Sequence, residues 1–115
     1  MMLDMMTQAL ELAKRPHVII ATPGRLRDHI RSSSGAVDLR RCKFLVMDEA
    51  DRMFTPTFVP ELEVILPLLP KQRQTLLFTA TMTESILALR DAEEDPKKQP
   101  FVHMCDMSTS TVNTL

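Results

Sequence analysis

The chain predicts an α/β fold with a parallel sheet flanked by helices, and three observations carry that prediction. Short, largely apolar runs at residues 18–21, 44–47 and 75–78 have the unbroken character of strands buried on both faces. Stretches with apolar residues at helical spacing alternate with them, as crossover connections between parallel strands require. Each run ends in polar residues: Thr22-Pro23-Gly24-Arg25, Asp48-Glu49-Ala50-Asp51 and Thr79-Ala80-Thr81. In open α/β sheets the carboxyl ends of the strands are where ligands bind.

Taken in order, Met2, Met5, Met6, Ala9, Leu10 and Ala13 form a helical stripe, with Gln8, Glu11 and Lys14 outside it, so residues 2–14 read as an amphipathic helix closed by Pro16. Residues 18–21 read as the first buried strand. Thr22 then stands as N-cap and Pro23 at the first helical position of a helix running to about Arg31. The threonine oxygen and unpaired amides at its start suit a phosphate, although an ordinary capped turn has the same sequence. Arg25, Arg27 and Arg31 add positive charge, and solvated helix arginines look the same. His29 reads as a partly packed helix residue. Ser32, Ser33, Ser34 and Gly35 end the helix in a loop reaching Asp38.

Arg40, Arg41 and Lys43 precede the run Phe44-Leu45-Val46-Met47, read as the central strand, which meets three carboxylates within four residues. A first carboxylate at a strand end can hold a divalent cation while a second polarises water; a strand running into an acidic turn fits the same residues. Residues 52–58 read as irregular. A helix begins near Pro60, with Glu61 and Glu63 in its first turn and Leu62, Ile65, Leu66 and Leu69 as its core face, and Pro67 kinks or ends it at about Leu66. Residues 71–74 link polar to the third strand. Thr83, Glu84, Ile86, Leu87 and Leu89 mark another helix, for which a threonine-rich cap explains Thr79 and Thr81 as well as any chemistry does. Residues 91–100 are charged and contain two prolines, as a linker does. Residues 101–104 suit a last short strand, and residues 108–115 read as an unpaired tail.

A chain of 115 residues holds at most one domain. A net charge of -1 gives no global attraction to nucleic acid, so any RNA binding rests on local geometry. Cys42 and Cys105 have no C-x-x-C spacing and read as free thiols, and neither they nor His17, His29 and His103 show zinc-ligand spacing. No transmembrane run or signal segment is visible, so no membrane partner is expected.

In order and separation, Thr22-Pro23-Gly24-Arg25, Asp48-Glu49-Ala50-Asp51 and Thr79-Ala80-Thr81 resemble motifs Ib, II and III of DEAD-box RNA helicases. Leu26, Asp28 and His29, and Arg73 to Phe78 before the third motif, are also similar to that family, which usually has serine where Thr79 stands. The resemblance covers residues 5–89. It implies a partial RecA-like (P-loop NTPase) domain over residues 1–95, with residues 96–115 as linker or tail. It implies that Asp48 holds Mg²⁺ through water as part of an ATP site, and that Glu49 orients the water attacking the γ-phosphate. Ala50 and Asp51 would contact Thr79, Ala80 and Thr81 to couple nucleotide state to RNA grip, and Thr22, Pro23, Gly24 and Arg25 would touch RNA phosphates. Within the family, residues 5–12 and the loop after Asp51 look most similar to a nucleolar helicase of small-subunit ribosome biogenesis. That implies the nucleus and nucleolus as location and a pre-ribosomal particle as partner.

Only Gly24 and Gly35 are glycines, and no G-x-x-x-x-G-K-[ST] loop is present to cradle ATP phosphates. The family's adenine-reading segment and second domain are also missing, so the chain reads as an internal fragment that is inactive alone. The alternative is a non-catalytic module that binds RNA phosphates or protein. In the resembled fold the P-loop strand lies beside residues 75–78, so its absence is expected to leave that strand edge open.

Overall fold

In the computed structural model, which describes residues 5–32 and 35–105, the elements follow the order α1 (Met5–Ala13), α2 (Pro23–Ser32), β1 (Phe44–Asp48), α3 (Ala50–Met53), α4 (Val59–Ile65), β2 (Gln74–Thr79), α5 (Glu84–Asp91) and β3 (Phe101–Met104). The amino end of the predicted first helix, Ser33 and Ser34 of the loop, and the predicted tail lie outside the described residues. No described helix is long and apolar enough to cross a membrane, and Cys42 and Cys105, both half-buried, are not joined in a disulfide. The chain forms two compact units, Met1–Cys42 with Pro60–Lys71, and Lys43–Val59 with Gln72–Leu115.

The first unit is helical. Leu62, Ile65 and Leu69 are its buried apolar residues, on the face the spacing predicted. Pro67 has no N–H to continue α4, which gives way to a 3₁₀ turn at Leu66–Leu68. Two polar contacts tie the helices together: His29, fully packed rather than partly, meets Gln8 Oε1 through Nε2 at 2.8 Å, and Arg27 Nη1 donates to Glu61 Oε1 at 3.0 Å. Arg15, at a positive φ of 58°, donates to the carbonyls of Gly35 and Ala36 and so closes the loop after α2 back onto the end of α1. The guanidinium and amide of Arg40 hold the nearby Asp38 carboxyl well below the usual carboxylate range.

Residues 18–21 do not form the predicted strand. They belong to no ladder among the described residues, and Val18 and Ile20 are 74% and 95% exposed. β-branched composition makes a segment fit for a sheet, but a strand exists only through hydrogen bonds to a neighbour.

The second unit holds the sheet, of order β1-β2-β3 and wholly parallel. The register pairs Val46 with Leu76 and Leu76 with Phe101, while Asp48, Phe78 and His103 align one level higher. Met47, Leu77 and Ile86 are buried, and α3 packs on β2 and α5. β1 is an edge strand, not the central one. It is buried on one face only, because Phe44 and Val46 remain 64% and 59% exposed. The strand edge expected to stand open at residues 75–78 is occupied by β3, so among the described residues β1 and β3 are the outer strands. Short as it is, β3 forms because its alternate residues Phe101 and His103 line up with Leu76 and Phe78 of β2, the rings of Phe78 and His103 lying 5.7 Å apart.

Candidate functional site

At the carboxyl end of β1 the chain turns sharply. Glu49 adopts the left-handed conformation (φ 54°, ψ 49°), which costs a non-glycine residue about 1 kcal/mol or more. The turn is held from both sides. Asp48 Oδ1 accepts from the Glu49 amide at 2.9 Å, and the Glu49 carbonyl accepts from the amides of Arg52 (2.9 Å) and Met53 (3.2 Å). Ala50 and Asp51 consequently start the short helix α3, where sequence reading placed a plain turn followed by irregular chain. Ala50 is completely buried, which leaves no room there for a larger residue.

Glu49 is the N-cap of α3, yet its side chain makes no capping bond. The carboxylate is exposed, and its Oε2 accepts from Arg52 Nη1 at 3.2 Å. Asp48 is also exposed, with no partner to Oδ2 among the described residues. No group of three or more His, Cys, Asp or Glu converges there among those residues. The exposed carboxylates of Asp48 and Glu49 are oxygen donors, the kind a hard cation such as Mg²⁺ takes.

Asp51 points the other way along the turn. Its Oδ2 accepts from the hydroxyl of Thr81 at 2.9 Å and from the Thr81 amide at 3.3 Å, while Oδ1 accepts from the Arg52 amide at 3.0 Å. The Thr81 hydroxyl bond is the main reason the Asp51 carboxyl titrates below its ordinary value, against a smaller opposing effect of burial. Thr79, 1% exposed, donates from its hydroxyl to the Thr81 carbonyl at 2.7 Å, and its own carbonyl accepts from the Cys105 amide at 2.7 Å. The structure thus brings Asp51, Thr79 and Thr81 into one hydrogen-bonded cluster. Ala80 is part of the intervening turn, half-buried.

The remaining predicted residues lie in the first unit. Pro23 opens α2, Thr22 precedes it, and the Thr22 carbonyl accepts from the Leu26 amide at 3.1 Å. A Cβ added to Gly24 would meet nothing within 4 Å, so the fold does not itself require glycine there. Of the three arginines expected to supply positive charge, Arg27 is engaged by Glu61 and Asp28. Arg52 was missed by the sequence reading. Its place three residues after Glu49 was the available signal, since residues so spaced meet on one face of a helix.

The sequence family described as DEAD/DEAH box helicase matches residues 3–89. An ATP-dependent RNA helicase DBP8 of Mycosarcoma maydis is 56% identical over 118 residues, a match covering 98% of this chain and 22% of that protein. The human protein named probable ATP-dependent RNA helicase DDX49 is 47% identical, over 98% of this chain and 23% of its own length. Among solved structures, a DEAD box protein from the hyperthermophile Methanococcus jannaschii superposes with a TM-score of 0.55 at 35% identity, covering 74% of this chain and 22% of that one. The chain spans about a fifth to a quarter of the length of these relatives.

Proposed function

Because the chain belongs to the DEAD/DEAH box helicase family, we propose that it acts as a segment of an ATP-dependent RNA helicase, where ATP hydrolysis drives separation of RNA strands. The observation that carries this reading is Glu49. A carboxylate residue is kept in a left-handed conformation directly after a strand-end aspartate, with its side chain excluded from capping, and such strain concentrates at functional sites.

In this mechanism Glu49 accepts a hydrogen bond from the attacking water and orients it toward the γ-phosphate. Asp48 would hold Mg²⁺, which when bound would supply positive charge to the phosphates. Asp51, bonded to Thr81 and through it to Thr79, relays the state of the nucleotide to the RNA grip, with the buried Ala50 and the turn residue Ala80 beside them in sequence. Thr22, Pro23, Gly24 and Arg25 take the RNA backbone, the amides at the start of α2 facing a phosphate. With no phosphate-cradling loop of its own, the chain relies on the rest of a helicase to bind ATP.

The test is a chimera in which this chain replaces the matching stretch of the Mycosarcoma maydis relative. Its RNA-stimulated ATPase should fall about 100-fold or more on Glu49→Gln, with ATP and RNA still bound. Hydrolysis at the parental rate in that variant removes the role given to Glu49. The isolated chain should show no saturable Mg-ATP binding by calorimetry, and a Kd tighter than about 10 μM would contradict the dependence on other segments.

The narrower reading is a role in ribosome biogenesis, with a pre-ribosomal particle as partner and the nucleolus as location. It is supported by residues 5–12 and the loop after Asp51. A tagged chimera should sediment with pre-ribosomal particles, and its exclusion from them would count against this reading.

A further inference from the structure

Arg52 touches the turn at three points. Its amide donates to the Glu49 carbonyl and to Asp51 Oδ1, and its guanidinium donates to Glu49 Oε2. Glu49 Oε1 has no partner among the described residues. An unrestrained glutamate distributes its carboxylate over many rotamers, and a base in the wrong rotamer cannot take a proton from a water placed elsewhere. Arg52 is the one described side chain that narrows this choice, and it does so through one oxygen while leaving the other open.

We propose that Arg52 is a positioning residue for hydrolysis: its guanidinium fixes the Glu49 carboxylate through Oε2 so that Oε1 faces the attacking water. The inference rests on the reading that Glu49 activates that water. No bond to Arg52 is made or broken, and Arg52 touches no reacting atom. An ion pair 75% and 60% exposed adds little to stability, so its effect should appear in rate and not in folding.

The experiment uses the same chimera, measured by steady-state ATPase at saturating RNA. Arg52→Ala should lower kcat about two- to fivefold, the most that so exposed an ion pair can bias the Glu49 rotamers, with KM for ATP and the thermal midpoint unchanged. Arg52→Lys should return kcat to within about twofold of the parent, since an ammonium keeps the charge but lacks the fork. In the Glu49→Gln background Arg52→Ala should cause no further loss, because its only route to the reaction is then gone. If Glu49→Gln alone hydrolyses ATP normally, the reading of Glu49 fails and this inference falls with it. If Glu49→Gln is impaired while Arg52→Ala keeps its kcat, acts on KM, or adds its full loss to that of Glu49→Gln, the positioning role alone is overturned.

Discussion

Replacing Glu49 by glycine should stabilise the chain relative to replacing it by alanine, the reverse of the order found in ordinary helical positions. The left-handed backbone costs an L-residue about 1–2 kcal/mol, and alanine, which keeps the Cβ, inherits that cost in full. Glycine escapes it but gives back about 0.5–1 kcal/mol through the greater freedom of its unfolded chain. Both variants lose the exposed ion pair to Arg52, so that contribution cancels between them. Gly should therefore exceed Ala by about 0.5–1 kcal/mol, whereas in a helix interior Ala is better by about 1 kcal/mol. Urea unfolding followed by circular dichroism resolves the difference. With a slope of about 1–1.5 kcal/mol per molar, the midpoints should differ by about 0.5 M in favour of Gly. Equal midpoints, or a higher one for alanine, would refute the claim that Glu49 stores backbone strain. Both variants lack the carboxylate and should be inactive in the chimera, which separates the strain from the chemistry.

Three further outcomes are expected. Gly24→Ala should raise stability by about 0.5–1 kcal/mol, since the added Cβ meets nothing and helix propensity improves, yet it should weaken RNA binding by the chimera in a filter or anisotropy assay; undiminished RNA affinity would mean that no RNA backbone approaches Gly24. The lowered Asp51 carboxyl contributes stability that is present above its unfolded value near 4 and is lost as pH falls through its folded value. Thr81→Ala should move that folded value upward in a carbon-detected NMR titration and flatten the acid-side loss of stability, and an unmoved titration would deny the hydroxyl its part. Replacing Thr79 and Thr81 together by alanine in the chimera should leave ATP hydrolysis largely intact while strand separation is lost, under the coupling role proposed for the cluster with Asp51; normal unwinding by the double variant would contradict that role.

Elements governed by neighbours in sequence were readable from it. Pro23 opening α2 and Pro67 ending α4 are local effects, and each stands where the residues put it, whereas the cap of α5 falls on Thr83, through the Ile86 amide at 3.3 Å, and not on Thr79 or Thr81. The acidic turn and the threonine segment, each ordinary alone, were legible as motifs because with Thr22-Pro23-Gly24-Arg25 they stand in the order and separation of the family they resemble. What escaped was non-local or conformational. Residues 18–21 have strand composition but no ladder, Phe44 and Val46 lie on an uncovered face, and β2 rather than β1 is the middle strand, all of which depend on where distant segments pair. The left-handed turn at Glu49 was invisible because glutamate, unlike glycine or asparagine, carries no preference for that region. The partner of His29 was equally hidden, since Gln8 precedes it by 21 residues.

The exposed Val18, Ile19 and Ile20 carry a consequence for how this chain behaves in a crowded solution. Three adjacent β-branched residues with no charge among them have the composition of a cross-β seed, in which identical segments stack in register, but only half the usual length of about six residues. Pro16 and Pro23 stand on either side of that seed, and neither has an N–H to offer the next layer, while Arg15 and Arg25 would bring like charges together at every repeat. These four residues would keep the stretch from lengthening into a full stacking segment. Removing the prolines and arginines, even by substitutions that leave every helix and strand of the native chain intact, should turn a tolerable exposure into fibril formation.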